Sequence, residues 1–133
     1  MSALTTVAKG KGAANVLRRA REIRAHYGIG PERMEQRIET ILDVVEPFGC
    51  RATLPITAAV VAQHPRAISS YAALGVEFPV HGYVHVDHAA LSDHAQLAQL
   101  ARAREVFERE GLPIIGFRAP YLRWNDATLR AVR

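Results

Sequence analysis

Three short apolar stretches, CRATLPIT (50–57), VEFPVH (76–81) and PIIGFRAP (113–120), alternate with segments of helical periodicity. Strand and helix therefore succeed one another three times with short connections. That pattern calls for parallel strands and right-handed crossovers, in an α/β layered sheet or part of a β/α barrel. Each stretch carries a polar residue at its end: Thr57, His81 and Arg118. In such folds the C-terminal ends of the strands form the working face, so the three together point to a site.

The helices between them have readable ends. In PERMEQRIETILDVVEPFG, Pro31 suits a first helical turn, and Glu32 and Glu35 suit the positive end of the dipole. Met34, Ile38, Ile41, Leu42 and Val45 recur on one face, and Pro47 and Gly49 close the helix. AAVVAQHP predicts a helical turn or two, and AISSYAALG (67–75) a short helix ending at Gly75. Ser92 caps a helix to about Glu110, with Leu97, Leu100, Ala103, Val106 and Phe107 inward and Gly111 after it. Asn125 caps a last helix, DATLRAV.

The chain of 133 residues is one domain by length, and 49% hydrophobic with 23% charged residues excludes wholesale disorder. Residues 1–30 read as a basic extension with a helix from Asn15 to about Tyr27, and 31–133 as the domain proper. Net charge is +4, and Lys9, Lys11, Arg18, Arg19, Arg21 and Arg24 precede nearly all of the acids. This leader is either a solvated extension or a patch for an anionic polymer. No aromatic residues alternate with the bases as a stacking platform requires, so nucleic acid is not the expected partner. Cys50 stands alone, which leaves no intrachain disulfide and no cysteine-based zinc site. No continuous apolar core marks a secretory leader, and no run approaches the roughly 20 residues of a membrane span. The expectation is a cytoplasmic protein that does not enter a membrane.

The densest chemistry is HGYVHVDH (81–88), which places three histidines and an aspartate in eight positions. If the loop makes one helical turn, His81 and His85 point to one side and can share a metal. Surface or capping roles are the other reading of such a pair. A catalytic zinc wants about three protein ligands and a water, and Asp87, His88, Asp93 and His94 are the nearby candidates for a third. In GFRAPYLRWN (116–125), Arg118 emerges from an apolar stretch and must meet an anion or carboxylate, a structural salt bridge included. Tyr121 and Trp124 supply aromatic walls of the kind sugar rings stack on, or serve as core.

Together these segments resemble the polysaccharide deacetylase family, carbohydrate esterase family four. GCRATLPITAAVVAQHP is similar to the family's second strand and following helix, LGVEFPVHGYVH to the strand leading into its His-x-x-x-His metal motif, and GLPIIGFRAPYLRWNDATL to its Arg-x-Pro-Tyr segment. The resemblance covers residues 31–133. It implies a distorted (β/α) barrel, here incomplete, and metal-dependent removal of N- or O-acetyl groups from an N-acetylglucosamine-type polysaccharide. His81 and His85 would be two ligands of a divalent metal, zinc foremost. Arg118 would orient the catalytic carboxylate, and the Tyr121 backbone N–H would help hold the oxyanion.

The family's opening Thr-Phe-Asp-Asp, which supplies the base and a metal ligand, has no counterpart; ALTTVAKGKG (3–12) contains no acid. The later aspartate–tryptophan motif and the Leu-x-His general acid are missing too. Asp87 could substitute as third ligand or base. Either the sequence is part of a longer protein or the site has been reworked. In the second case the fold serves as a non-catalytic carbohydrate-binding or scaffold protein. An incomplete barrel also leaves strand edges open, which favours homo-oligomers.

Overall fold

The computed structural model describes residues 31–133. The helix expected from Asn15 to Tyr27 lies outside the described residues. The chain divides into two compact units, Met1–Ile38 and Glu39–Arg133. Helix α1 (Pro31–Val45) starts at its proline as expected, and Ile38 is its most buried described residue. A 3-10 turn, Glu46–Phe48, follows, and Gly49 (φ 64°) ends it with its N–H donating to Glu46 O.

The second unit alternates extended segments with helices: α2 (Ala58–Gln63), α3 (Pro65–Ala73), α4 (Asp93–Arg109) and α5 (Asp126–Ala131). Helix α3 begins two residues before the expected AISSYAALG because Pro65 occupies its first turn, where a missing N–H costs nothing. Among these, α4 packs against both α2 and α5, and α2 against α3. The core they enclose holds Val61, Ile68 and Phe107, all fully buried, with Val76, Phe78 and Val80. The last three alternate with less buried neighbours, the period of two that an extended segment requires.

Three segments expected as strands do run parallel, but among the described residues they are joined by isolated bridges rather than continuous ladders: Thr53 to Glu77, Ile56 to Val80, and Val80 to Phe117. The cause is visible in the hydrogen bonds. Glu77 N donates to Ala52 O, Leu54 N to Glu77 O, Ile56 N to Pro79 O, and His81 N to Ile56 O. The rung absent from this series would run from residue 79 to Leu54 O, and Pro79 has no N–H to give. The middle segment is the axis of the arrangement, since Val80 also donates to Gly116 O and accepts from Arg118 N. Among the described residues the third segment pairs only there, and Ile114 and Ile115 before it stand 48% and 47% exposed.

One face of α4 differs from the expectation. Ala103, Val106 and Phe107 point inward, but Leu97 is 53% exposed and Gln96 is fully buried in its place. Gln96 can be buried because every polar atom of its amide is used. Its Nε2 donates to Leu91 O and Asn125 Oδ1, and its Oε1 accepts from Thr128 Oγ1 at 2.5 Å. Asn125 and Thr128 cap α5 reciprocally, so this network ties the start of α4 to the start of α5. Among the described residues no helix is long and apolar enough to cross a membrane.

Candidate metal centre

The ends of the three parallel segments meet. Thr57, at the end of the first, precedes α2 without a side-chain cap. The leading amides of that helix are satisfied instead by the loop after the second segment: Ala58 N donates to Gly82 O and Ala59 N to Tyr83 O, both at 3.0 Å. Gly82 has φ 79°, and a Cβ there would lie 3.0 Å from His88 Cε1 and 3.1 Å from Val84 O. Glycine is therefore required on both backbone and packing grounds.

His81 and His85 come together, with ring centroids 4.9 Å apart and planes at 60°. The intervening loop is a series of bends rather than the helical turn expected from the four-residue spacing. His81 Nδ1 lies 2.6 Å from the carbonyl oxygen of Arg118. A carbonyl only accepts, so Nδ1 carries the proton and Nε2 keeps its lone pair. This is the arrangement metal-ligating histidines use to fix ring orientation. The His81 pKa is lowered, first by burial, against which the Arg118 carbonyl acts, and then by the charges of His85, Arg118 and His88. Neutral imidazole is the form that binds a metal.

The His85 ring packs edge-on against Tyr121, centroids 4.6 Å apart at 72°. Tyr121 and Leu122 both take left-handed backbone angles, φ 57° and 55°. Two such residues in succession are costly for side chains with a Cβ, and strain of this kind collects at functional sites. Among the described residues nothing accepts the Tyr121 N–H, while Leu122 N donates to Ala119 O. Tyr121 and Trp124 are 64% and 58% exposed, so neither is core.

Arg118 is exposed and pairs with no carboxylate among the described residues. The segment end is open to solvent, so the Arg118 charge is hydrated there without a structural salt bridge. Its main-chain oxygen is the group that reaches the histidines, a contact that no side-chain motif announces. Asp87 is committed elsewhere. Its carboxylate accepts from Ala89 N at 3.1 Å, capping a short 3-10 turn, and pairs with Arg123 Nε at 3.2 Å. Asp93 pairs with Arg130, and His94 is exposed on the first turn of α4. His88 is fully buried against Phe117, with Nδ1 3.3 Å from Val86 O and Nε2 without a partner. Among the described residues no three His, Cys, Asp or Glu side chains converge as a metal set. The chemistry of the two imidazoles fits two positions of a metal site, and no third side chain joins them among the described residues.

The family model for polysaccharide deacetylase matches residues 17–133. The chain belongs to that family. Among solved structures, it is similar to wild-type BA3943, a CE4 family pseudoenzyme from Bacillus anthracis, with a TM-score of 0.67 at 18% identity over 73% of this chain and 35% of that one. A family 4 carbohydrate esterase from Streptomyces lividans in complex with acetate aligns with a TM-score of 0.60 at 22% identity, over 70% of this chain and 49% of that one. Peptidoglycan deacetylase PdaC from Bacillus subtilis aligns at 0.62 and 24% identity, over 69% and 46%. These likenesses establish the fold. The chain spans between 35% and 49% of the length of these structures. No curated protein matches it.

Proposed function

We propose that this chain is part of a metal-dependent hydrolase that removes acetyl groups from an N-acetylglucosamine-type polysaccharide, on a completed (β/α) barrel. The observation that carries the reading is the His81–His85 pair, 4.9 Å apart, with the His81 tautomer set by the Arg118 carbonyl. Through Nε2, His81 would hold a divalent ion, zinc foremost, together with His85. When bound, such an ion polarises a substrate carbonyl and lowers the pKa of a water. Tyr121 would donate its unused N–H to the oxygen on which charge develops, a contact commonly worth about 3 kcal/mol. Its ring lies edge-on against that of His85, and Arg118, exposed beside His81, would be free to orient a carboxylate base supplied from outside the described residues.

The test is zinc uptake by the full chain, and acetate release from N-acetylglucosamine oligosaccharides, each compared with His81→Ala. Zinc bound by the wild type and lost in the variant supports the reading. A folded sample that takes up no zinc and releases no acetate refutes it. A second reading, a non-catalytic polysaccharide-binding protein on the same fold, is favoured by one observation: the described residues bring only two ligands together. It predicts oligosaccharide binding that survives both chelator and His81→Ala.

A further inference from the structure

The three residues between the paired histidines are held one by one. Gly82 O and Tyr83 O accept from the first amides of α2. The remaining two holds come from α4. Gln99 Oε1 accepts from Val84 N at 3.3 Å, and the Arg102 guanidinium lies 3.9 Å from the centre of the Tyr83 ring. Positions 99 and 102 are three apart and so share a face of α4. Among the described residues, neither shares a hydrogen bond or ring contact with a histidine.

The two imidazoles differ in what fixes them. His81 is pinned on one side by its main-chain bond to Ile56 O and on the other by the Arg118 carbonyl. His85 is exposed, and among the described residues its ring makes ring contacts with His81 and Tyr121 and no hydrogen bond. Its position therefore depends on the backbone that leads to it, and the residue immediately before it is Val84. We propose that Gln99 and Arg102 are positioning residues that set the separation of His85 from His81, and so the affinity of the pair for a metal ion. The inference rests on the metal-centre reading above and adds to it a control exerted from a neighbouring helix.

Positioning and simple electrostatics predict opposite signs for one substitution. Arg102 brings a positive charge close to a site for a cation, so removing it should by charge alone tighten metal binding. If the guanidinium acts by clamping Tyr83, its removal weakens binding. The Arg102→Lys variant keeps the charge and loses the planar stack.

The experiment is titration of the full chain with Zn2+ against a competing chelator, with Co2+ absorption as a geometric readout and thermal melting as a control. Loss of a group that orients a metal ligand commonly costs about 10–100-fold in affinity. Acting one residue further out, Gln99→Ala and Arg102→Ala should each weaken Zn2+ binding by about 3–10-fold and alter the Co2+ spectrum. Arg102→Lys should fall between Arg102→Ala and the wild type. Melting temperatures should stay within about 2 °C, since substitutions at exposed or half-buried polar helix positions are commonly near neutral. Unchanged or tighter Zn2+ binding in both alanine variants overturns the inference and leaves the metal-centre reading standing. Absence of Zn2+ binding in the wild type overturns both.

Discussion

Replacing Gly82 with alanine separates two costs that usually arrive together. The backbone there has φ 79°, and left-handed geometry costs an L-residue about 1–2 kcal/mol. The new Cβ would also stand 3.0 Å from His88 Cε1 and 3.1 Å from Val84 O. The imidazole cannot swing clear, because it is fully buried and packed edge-on to Phe117 with centroids 5.4 Å apart. Forcing a methyl into such packing costs a further amount of about 1–3 kcal/mol. Gly49 and Gly111 provide the controls, with φ 64° and 68° and nothing within 4 Å of a Cβ. At about 4 °C per kcal/mol for a chain of this size, Gly49→Ala and Gly111→Ala should lower the melting temperature by about 4–8 °C. Gly82→Ala should lower it by about 8–20 °C, read by circular dichroism. A cycle with His88→Ala should return part of the excess, since the contact is then gone. If Gly82→Ala matches the two controls within about 0.5 kcal/mol, the loop is not wedged against His88 and the reasoning fails.

Two further outcomes follow from buried polar groups. Thr128→Val leaves Gln96 Oε1 buried without its donor and opens the α5 cap, so urea unfolding should show a loss of about 1–3 kcal/mol that Thr128→Ser largely restores. His81 and His88 both have pKa values lowered from 6.5, with burial the largest cause. Each imidazole thus takes up its proton more readily in the unfolded chain. Stability present above about pH 6.5 should be lost as the pH falls below that value, by up to about 1.4 kcal/mol per pH unit for each histidine. His88→Phe should reduce that slope, and an unchanged slope in pH-dependent melting would remove His88 as a contributor.

What could be read from the residues was local or periodic. Ser92 and Asn125 cap the helices assigned to them, because a cap is decided within three or four residues. The stretch VEFPVH read as an extended segment, and Val76, Phe78 and Val80 are its buried residues. Distance along the chain hid the rest. Leu97 read as core by hydrophobicity, but the inward place goes to Gln96, whose partners Asn125 and Thr128 are 29 and 32 residues away. Arg118 read as a buried charge because its segment is apolar, and nothing local says that the segment end lies open. The His81 contact with the Arg118 carbonyl involves a main-chain atom that every residue possesses, so sequence carries no mark of it. Asp87 was a fair candidate ligand by spacing. Its carboxylate is instead engaged by Ala89 N and Arg123, of which the second lies in a different loop.

The way α2 begins has a consequence for solution behaviour. A helix of six residues is far too short to persist unaided, and the amides of Ala58 and Ala59 are closed only by carbonyls at Gly82 and Tyr83. Any excursion of the histidine-bearing stretch away from its resting place must therefore unlatch that helix. In deuterated solvent the exchange rates of those two amides become a clock for how often the stretch departs.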